Sequence, residues 1–376
     1  MIIIDMSAIK AGGGCQLALN YINELSTGKF IIQEKLVFLI PNIGPLSNSL
    51  DKKYSNLKFE IAHTDMFFRR FFFEKITLKR IYKKYNIDTI YTFFGAGLPH
   101  SNSIKSIVSV AYPIICYDES AFWKHIPVKL KIRQRIVNYL RIMRLKKADL
   151  IIAETDVMKK RLVKKIEFPN DNILVCPPSP SGFIKDVLSE YQIKEVPSFL
   201  ILSGCSHHKN LWRLPELVEQ LSKTISFKLI ISVEEHDFIK LLTSVNLDCN
   251  LLAKYTEYKT FFEFKGTVMP NEIENLYSSC DFLLSLSDLE SYSNNYMEAW
   301  KTGTPLIVSD YDFSREICRE SAIYIDPHDV INTSKIIYKS IKEKELINKM
   351  ILKGKEYLNE LPTREERVNQ INTLIS

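Results

Sequence analysis

Residues 281–310 read DFLLSLSDLESYSNNYMEAWKTGTPLIVSD, and this stretch decides the fold of the chain. Its apolar run at 282–286 predicts a strand, which is followed by a polar turn that contains Glu290. The next residues have the spacing of a helix that begins near residue 294 and ends at a Gly-Thr-Pro sequence, after which a second apolar strand follows. The pattern predicts a βαβ unit. In such units, ligands bind where the carboxyl end of a strand meets the amino end of the next helix.

Two glutamates lie in this unit, Glu290 in the turn and Glu298 in the expected first turn of the helix. A carboxylate at that helix position stabilises the helix dipole without any ligand, so Glu298 has a purely structural interpretation as well. Glu290 is harder to explain in this way, because a second carboxylate nearby repels it unless a ligand or cation uses both. The free backbone amides of the helix start suit a phosphate, and small polar residues leave room for one there: Ser291, Ser293, Asn294 and Asn295.

The composition is that of an ordinary soluble protein, with 376 residues, 46% apolar and 25% charged, which is long enough for two domains. No apolar stretch approaches the roughly 18–20 residues that span a bilayer. The start, MIIIDMSAIKAGGG, lacks a basic segment, so we expect no signal peptide. The seven cysteines are scattered without a CxxC pair, which argues for a reducing compartment and against structural zinc. We therefore expect a cytoplasmic protein.

The rest of the chain alternates short β-rich runs with helical segments, which predicts the α/β class with two doubly wound, Rossmann-like parallel sheets facing across a cleft. The Pro-rich run at 177–182 is the best candidate for a domain boundary. We expect a first domain at 1–185, a second at 196–355, and a C-terminal helix at 356–376 that packs back on the first domain. Further strands are predicted at 2–6, 35–40, 58–62, 89–94, 107–112, 149–154, 172–176, 199–203, 228–233, 261–266 and 322–325.

A glycine run, Gly12, Gly13 and Gly14, lies between the first strand and a helix predicted at 16–25. Such a loop lets backbone amides approach an anion at the helix start. The run does not match GxGxxG, and a plain tight turn is about as good an interpretation.

At this point a resemblance becomes specific. The stretch at 285–317 resembles the donor-site signature of the retaining family-4 glycosyltransferases, S-x-x-E-G-F-G-x-x-x-x-E-A-x-x-x-G-T-P-V-I-x-S. LSGCSHHKN resembles the family's G-R-L-x-x-x-K-N, and FKGTVMPNEIENLYSSCDFLLSLS its F-x-G-x-V segment. The resemblance covers about residues 198–330. The matching positions are Gly204, Lys209, Asn210, Glu290, Glu298, Ala299, Gly303, Thr304, Pro305, Ser309 and Glu316.

The resemblance implies a GT-B fold that holds a nucleotide-sugar mainly through its second domain, without a further cofactor or a metal ion. Lys209 and Glu290 would be the catalytic residues: Lys209 would neutralise the diphosphate leaving group, and Glu290 would face the sugar or the reacting diphosphate. Glu298 would bind the ribose hydroxyls. The other donor-binding residues would be Gly204, Gly266, Thr267, Val268, Ser293, Asn294 and Asn295, with Gly12, Gly13 and Gly14 as a donor-phosphate or acceptor loop.

The sequence departs from the family pattern at three places. The family's Gly-x-Gly around Glu290 is Ser291 and Ser293 here, a modest change that narrows the pocket. The family has an arginine shortly after Gly204, where this chain has Cys205 to His208. His207 or His208 could supply a hydrogen-bond donor in its place. Exposed loop histidines are, however, about twice as often simply solvated. The family's histidine after a central strand of the first domain is also missing. Tyr112, Tyr117 and Asp118 lie in that segment and are candidates for contact with the acceptor or the sugar.

Two basic stretches in the first half point to a membrane surface, FFRRFFFEK at 67–75 and the acid-free 124–147. Aromatic residues between Arg and Lys suit anionic lipid headgroups. The alternatives are an amphipathic core helix for the first stretch and a solvated basic face for the second. Nucleic acid is a poorer fit, because the net charge is only +6 and no recognised module is present.

The resemblance therefore implies a hexosyltransferase at the inner face of the plasma membrane. It would transfer sugar from a UDP- or GDP-sugar to a polyprenyl-diphosphate-linked saccharide, in synthesis of a surface polysaccharide of the O-antigen or lipopolysaccharide type. Two alternatives stay open. One is a catalytically inactive glycosyltransferase-like binding subunit, and the other is a nucleotide-sugar epimerase of the same fold.

Overall fold

The computed structural model describes residues 1–9, 13–30, 32, 35–50, 54, 56–182, 184–187, 190–245, 250–269 and 272–376. The chain divides into two compact units, and each takes its residues from separate parts of the sequence. The first unit comprises Met1–Cys116, Ile136–Ser181 and Leu361–Ser376. The second unit comprises Tyr117–Arg135 and Gly182–Glu360.

The strands are short and largely apolar, and ten of the thirteen described strands are buried at every residue or at all but one, as expected for parallel strands covered on both faces. Those of the first unit are β1 (Ile2–Asp5), β2 (Leu36–Pro41), β3 (Lys58–Ala62), β4 (Thr89–Thr92), β5 (Lys105–Ser109), β6 (Leu150–Ala153) and β7 (Ile173–Val175). Those of the second unit are β8 (Ser198–Ile201), β9 (Lys228–Ile231), β10 (Phe262–Phe264), β11 (Phe282–Ser285), β12 (Leu306–Ser309) and β13 (Ala322–Ile325).

The helices connect these strands. In chain order they are α1 (Gly13–Ser26), α2 (Pro45–Asn48), α3 (Phe67–Phe72), α4 (Leu78–Tyr85), α5 (Val128–Leu145), α6 (Asp156–Ile166), α7 (Leu214–Leu221), α8 (Glu235–Ser244), α9 (Leu251–Glu257), α10 (Ile273–Ser279), α11 (Asn294–Thr302), α12 (Asp312–Cys318), α13 (Val330–Ser340), α14 (Lys344–Asn359) and α15 (Arg364–Ile375). A π-helical turn, Phe73–Thr77, joins α3 to α4.

Each unit is built on one parallel sheet, and the α/β prediction of two doubly wound sheets is confirmed. The first sheet has the order β3-β2-β1-β4-β5-β6-β7, and the second has the order β10-β9-β8-β11-β12-β13. Both orders reverse direction beside their first strand, at β1–β4 and at β8–β11. Such a reversal opens a crevice at the carboxyl ends of the two strands, which is where open α/β sheets bind ligands.

Alternation along the strands gives the first unit a core on each face of its sheet. Ile2 and Ile4 belong to one apolar cluster, while Ile3 between them belongs to the other. The side chains of successive strand residues point to opposite faces, so an unbroken apolar run is what a sheet covered on both faces requires. The C-terminal helix α15 contributes Val368 and Ile371 to the first of these clusters, and the Tyr21 hydroxyl donates a hydrogen bond to Asn372 at 2.9 Å.

The division between the units differs from the expected one at its borders and in one longer stretch. The first unit ends at Ser181 rather than at 185, and its C-terminal segment begins at Leu361 rather than at 356. Residues 117–135, which we assigned to the first domain, belong to the second unit. No local sequence signal predicts that this stretch belongs to the second unit, because its position depends on hydrogen bonds to residues more than 160 positions away.

The predicted strands agree with the observed ones to within about three residues at either end. Four helices were missed, α2, α8, α9 and α12. In α8, Phe238, Leu241 and Leu242 have helical spacing and are buried. Residues 67–85 are helical throughout, with the π-helical turn between α3 and α4. No helix of the described residues is long and apolar enough to cross a lipid bilayer.

Candidate active site

The crevice of the second sheet is the place where the predicted site residues meet. Strands β8 and β11 are neighbours there, with Phe199 opposite Phe282 and Leu200 opposite Leu283. The turn that follows β8 contains Lys209, and the turn that follows β11 contains Glu290. Because the carboxyl ends of parallel strands share one edge of the sheet, two turns distant in sequence come together.

Lys209 and Glu290 form an ion pair at this edge, through Lys209 Nζ and Glu290 Oε1. Their side chains retain 22% and 14% of their exposure, so the pair is largely but not completely removed from water. Lys209 ends a short 3₁₀ turn, His207–Lys209, and Asn210 after it has φ 53°. This left-handed residue turns the chain into the next helix and is a conformation that asparagine tolerates well.

The start of helix α11 lies directly after the Glu290 turn. Ser293 is the N-cap residue, and its side chain makes no capping hydrogen bond. The Nδ2 group of Asn295 donates to the carbonyl of Leu202 at 2.5 Å, so the helix start is fastened to the chain just after β8. The first-turn amides of a helix have no intrahelical acceptor and carry the positive end of the dipole, which together suit an anion.

Glu298 is placed differently from the sequence prediction. It is the fifth residue of α11 rather than a member of the first turn, which contains no acidic residue. Its side chain is buried, and the Tyr277 hydroxyl lies 3.3 Å from Glu298 Oε2 and 3.1 Å from the carbonyl of Asn295. Burial, followed by the charge of Glu298, raises the pKa of Tyr277 well above its ordinary value. A buried carboxylate needs hydrogen-bond donors, so the helix-dipole interpretation is insufficient.

Gly266 is required by its backbone conformation, whereas Gly204 is not. Gly266 has φ 67°, and a Cβ atom at this position would lie 2.3 Å from Glu234 Oε1. Gly204 lacks a positive φ, and a Cβ atom there would meet nothing within 4 Å. Thr267, next to Gly266, is exposed, and Val268 is partly exposed. The 266–268 turn follows β10, at the same carboxyl edge of the second sheet.

The two histidines before Lys209 are not solvated, as the commoner alternative had it, but partly buried. His207 Nε2 lies 3.1 Å from Ser244 Oγ. Burial lowers the pKa of His207, and burial together with the Lys209 charge lowers the pKa of His208 to about 4. Both rings are therefore neutral near pH 7, so neither replaces the positive charge of the family's arginine.

The residues predicted in the first half of the chain divide between the two units. Gly12 lies outside the described residues, and Gly13 and Gly14 are the first two residues of α1 in the first unit. Tyr112, also in the first unit, donates to the carbonyl of Gly95 at 3.0 Å, and burial raises its pKa.

Tyr117 and Asp118 belong instead to the second unit. The Tyr117 hydroxyl donates to Asp312 Oδ1 at 3.1 Å, and its ring packs edge-on against Phe313. Tyr117 is buried and Asp118 is exposed. Asp118 is therefore the better placed of the two to contact a bound molecule.

Sequence reasoning missed Asp288, Asn210 as a partner of Asp288, and His328. Asn210 Nδ2 and His328 Nε2 lie 2.5 Å and 2.8 Å from Asp288 Oδ1. A signal was present, because Asp288 follows β11 and His328 follows β13 at the same interval of three residues. Polar residues that follow the strands of one parallel sheet converge at its carboxyl edge, here across the intervening strand β12.

The two doubly wound sheets, together with the crevice of the second, define an α/β protein of the GT-B class. The chain matches sucrose-phosphate synthase of Thermosynechococcus elongatus with a TM-score of 0.73 and 14% identity, over 99% of this chain and 97% of that one. It matches HepE of Anabaena in complex with UDP and glucose with a TM-score of 0.72 and 13% identity, over 99% and 98%. These similarities establish the fold.

The second half of the chain is similar to a known family. Residues 189–357 match the family model described as glycosyl transferases group 1. The region contains Lys209, Glu290 and Glu298, and it corresponds closely to the part of the chain for which the motifs predicted the family.

Two curated proteins are similar to parts of the chain. One is the O-antigen chain mannosyltransferase RfbU of Salmonella typhimurium, 27% identical over 194 residues, which are 51% of this chain and 50% of that protein. The other is the alpha-monoglucosyldiacylglycerol synthase of Streptococcus pneumoniae, 24% identical over 208 residues, with 46% of each chain covered. The chain thus spans about half the length of the curated relatives that it matches.

Proposed function

We propose that this protein is a retaining hexosyltransferase that uses a UDP- or GDP-sugar. Its acceptor is a saccharide carried on a polyprenyl diphosphate, and its product is part of a surface polysaccharide. The observation that carries the proposal is the Lys209–Glu290 ion pair, which lies at the crevice of the second sheet beside the start of α11. The name of the Salmonella relative, an O-antigen chain mannosyltransferase, supports the polysaccharide assignment.

Lys209 stabilises the leaving group in this proposal. When a nucleoside diphosphate departs from a sugar, its terminal phosphate gains negative charge. A fixed cation and fixed amide donors aimed at that charge lower the barrier without reorganising during the reaction. Lys209 supplies the cation, and the amides at the start of α11 supply the donors, so these groups do the work that a metal ion would otherwise do.

Glu290 orients Lys209 before the donor binds and faces the sugar afterwards. The ion pair keeps the long lysine side chain in one place, which reduces the ordering that donor binding requires. A diphosphate entering the crevice competes with Glu290 for Lys209 Nζ. The Glu290 carboxylate then becomes available to accept hydrogen bonds from sugar hydroxyl groups.

Glu298 and the turn after β10 hold the nucleoside. The buried Glu298 carboxylate accepts hydrogen bonds from ribose hydroxyls, and Tyr277 fixes its orientation through the 3.3 Å contact. Thr267 and Val268 lie against the base, and Gly266 allows its backbone to approach closely because it adds no Cβ atom. A donor that lacks the ribose hydroxyls gives the Glu298 carboxylate no hydrogen bonds there. Its binding free energy should therefore be less favourable by the amount typical of an unsatisfied buried polar group.

Release of nucleoside diphosphate from a panel of donors tests this function. UDP-glucose, UDP-galactose and GDP-mannose are incubated with the protein, with and without a polyprenyl-diphosphate-linked disaccharide. The products are identified by mass spectrometry, and the anomeric configuration of the new linkage is determined by NMR. We expect one donor to yield its nucleoside diphosphate and a trisaccharide with retained anomeric configuration. Interconversion of the donor sugar would instead indicate an epimerase, and binding without any release would indicate an inactive subunit.

Variants assign the roles within the site. Glu298→Ala is expected to abolish donor binding, and Glu290→Ala is expected to abolish turnover while part of the donor binding remains. Lys254→Met is the matched control, because Lys254 and Glu219 form a second partly buried ion pair in the same unit. Full transfer activity in both glutamate variants would exclude the proposed site.

We further propose that the protein binds a membrane surface through two exposed faces. On α3 and the π-helical turn, Phe68, Phe71, Phe72 and Ile76 are between 45% and 74% exposed. Their spacing forms one stripe, whereas Phe73 of the same segment is buried, so residues 67–75 present an exposed apolar face besides their contact with the core. On α5, the exposed apolar residues form a second stripe of helical spacing: Val128, Ile132, Ile136, Tyr139 and Met143.

Charge supports an anionic lipid surface as the partner of these faces. Residues 124–147 contain no acidic residue, and Lys129, Arg133 and Arg135 on α5 are exposed. Apolar side chains bury into the acyl boundary, while the basic residues interact with anionic headgroups. Near its C-terminal end, α5 is fixed to the π-helical turn by the 2.6 Å ion pair between Arg144 and Glu74.

Vesicle co-sedimentation tests the membrane surface. We expect binding to phosphatidylcholine vesicles that contain phosphatidylglycerol and weaker binding to vesicles of phosphatidylcholine alone. Replacing Phe68, Phe71 and Phe72 by serine is expected to weaken binding at least about tenfold, because each buried phenyl group contributes roughly 1.5–3 kcal/mol when fully inserted. Leu352→Ser, at an exposed apolar residue of α14, is the control. Equal loss in the control would contradict the proposal.

A further inference from the structure

Asp288 is a buried carboxylate that neither the motifs nor the proposed chemistry uses. It follows β11 and precedes Glu290 by two residues, and its side chain is 0% exposed. It is surrounded by hydrogen-bond donors from four separate parts of the second unit. Oδ1 accepts from Asn210 Nδ2 (2.5 Å), His328 Nε2 (2.8 Å) and the Tyr311 hydroxyl (3.3 Å), and Oδ2 accepts from the Phe122 amide (2.8 Å) and the Ser120 hydroxyl (3.2 Å).

The geometry fixes the tautomer of His328. Arg213 Nη2 lies 3.3 Å from His328 Nδ1, and a guanidinium group can only donate. Nδ1 therefore accepts, and Nε2 carries the proton that is donated to Asp288. The ring of His125 stacks on His328 with a centroid separation of 5.9 Å and an interplanar angle of 17°. The Nε2–H group of His328 thus donates to Asp288, while Arg213 and the His125 ring hold the imidazole in place.

Asp288 joins the two turns that contain Lys209 and Glu290. Its backbone amide donates to the carbonyl of His208 at 2.7 Å, and its carboxylate accepts from Asn210. These two residues flank Lys209 on either side. Asn210 Nδ2 also donates to the carbonyl of Leu286 at 2.9 Å, so three hydrogen bonds connect the turns.

Asp288 also anchors the segment 117–125 to the second unit. Ser120 and the Phe122 amide bind its carboxylate directly. Within the segment, the indole of Trp123 donates to the carbonyl of Tyr117 at 2.8 Å, so this hydrogen bond holds the beginning of the segment against its later part. The exposed Asp118 is carried on this piece.

We propose that Asp288 is a positioning residue for glycosyl transfer, which sets the place of Lys209 relative to Glu290 and anchors the segment 117–125 beside them. The inference rests on the function proposed above. It adds a residue whose side chain does not touch the donor but determines where the catalytic groups are. Small displacements of such groups reduce the rate of the chemical step far more than they reduce binding.

The experiment compares Asp288→Asn with Asp281→Asn. Asp281 is also a buried carboxylate next to β11, but it lies at the opposite end of the strand, where it accepts from the Ser198 amide and hydroxyl. We expect Asp288→Asn to lower kcat about 10- to 100-fold, with the KM for the donor changed less than about threefold. Asp281→Asn is expected to lose stability while keeping its kcat per folded molecule.

A second measurement does not depend on activity. If Asp288 anchors the segment, trypsin should cleave after Lys124 at least about tenfold faster in Asp288→Asn than in wild type, because cleavage requires local opening. Asp281→Asn should leave that rate unchanged. His328→Leu and His328→Gln serve as milder variants should Asp288→Asn fail to fold. The leucine should lower kcat, and the glutamine, which keeps an N–H donor, should restore part of it.

The outcomes separate the two proposals. An active wild type with an unchanged kcat in Asp288→Asn, or with an equal loss in Asp281→Asn, would overturn the positioning role alone. A wild type that releases no nucleoside diphosphate from any donor would overturn the proposed function and the catalytic role of Asp288 together. An unchanged trypsin rate in Asp288→Asn would overturn the anchoring of the segment in either case.

Discussion

Replacing Lys209 by methionine removes the cation of the candidate site while keeping the length and apolar character of the side chain. In the free protein Lys209 Nζ pairs with Glu290, and both side chains are mostly removed from water. In the reaction, the departing diphosphate gains one negative charge that Lys209 is placed to neutralise. Loss of one such fixed donor typically costs about 2.7–4 kcal/mol of transition-state stabilisation, or about 10²–10³ in kcat.

The lower end of that range applies here, because Lys209 keeps 22% of its exposure and water screens part of its charge. We therefore expect Lys209→Met to lower kcat about 100-fold. The bound diphosphate is already anionic before the reaction, so the KM for the donor should also rise, by up to about tenfold, since about 1.4 kcal/mol corresponds to a factor of ten. The free energy of unfolding should fall by only about 1 kcal/mol, because the unpaired Glu290 remains partly hydrated.

Steady-state release of nucleoside diphosphate measures the first two quantities, and urea unfolding measures the third. Lys254→Met, which breaks the comparable pair with Glu219, should change stability without changing kcat. Lys209→Arg should recover part of the rate, since the charge is kept but its geometry differs. The reasoning is refuted if Lys209→Met retains kcat/KM within threefold of wild type, or if the Lys254 variant loses as much activity.

Three further predictions concern other parts of the second unit. The pKa of His208 is lowered from 6.5 to about 4, so its neutral form stabilises the fold fully above pH 6.5, and this contribution is lost as the pH falls toward 4. Urea unfolding should therefore show that the free energy of unfolding falls by about 1–3 kcal/mol over that pH range. His208→Gln should remove this pH dependence. Gly266→Ala should lower the free energy of unfolding by about 1–2 kcal/mol, because Gly266 has a positive φ. Gly204→Ala should change it by less than about 0.5 kcal/mol. Similar values for the two variants would contradict the requirement for glycine at position 266. Tyr277→Phe removes the hydroxyl beside Glu298. Calorimetric titration should therefore show that affinity for the nucleoside diphosphate is weakened about five- to tenfold. Unchanged affinity would exclude a role for that hydroxyl in orienting the carboxylate.

Much of the fold was predictable, because parallel strands buried on both faces leave a local signal. Uninterrupted apolar runs such as Ile2–Asp5 and Leu306–Ser309 need no partner to be recognised as strands. The motif around Glu290 and Glu298 was predictable for the same reason, since its spacing lies within one βαβ unit. The helices α8 and α9 were missed although their buried residues have helical spacing.

Sequence alone thus determined the strands, most of the helices, the family resemblance and the identity of Lys209, Glu290 and Glu298 as candidates. The tertiary structure alone decided which distant residues meet: Lys209 with Glu290 across 81 positions, Phe122 with Asp288 across 166, and Tyr21 with Asn372 across 351. It also placed Glu298 in the interior rather than in the first helical turn. The physical reason is that periodicity and caps act within a few residues, whereas these hydrogen bonds depend on the path of the whole chain through its sheet.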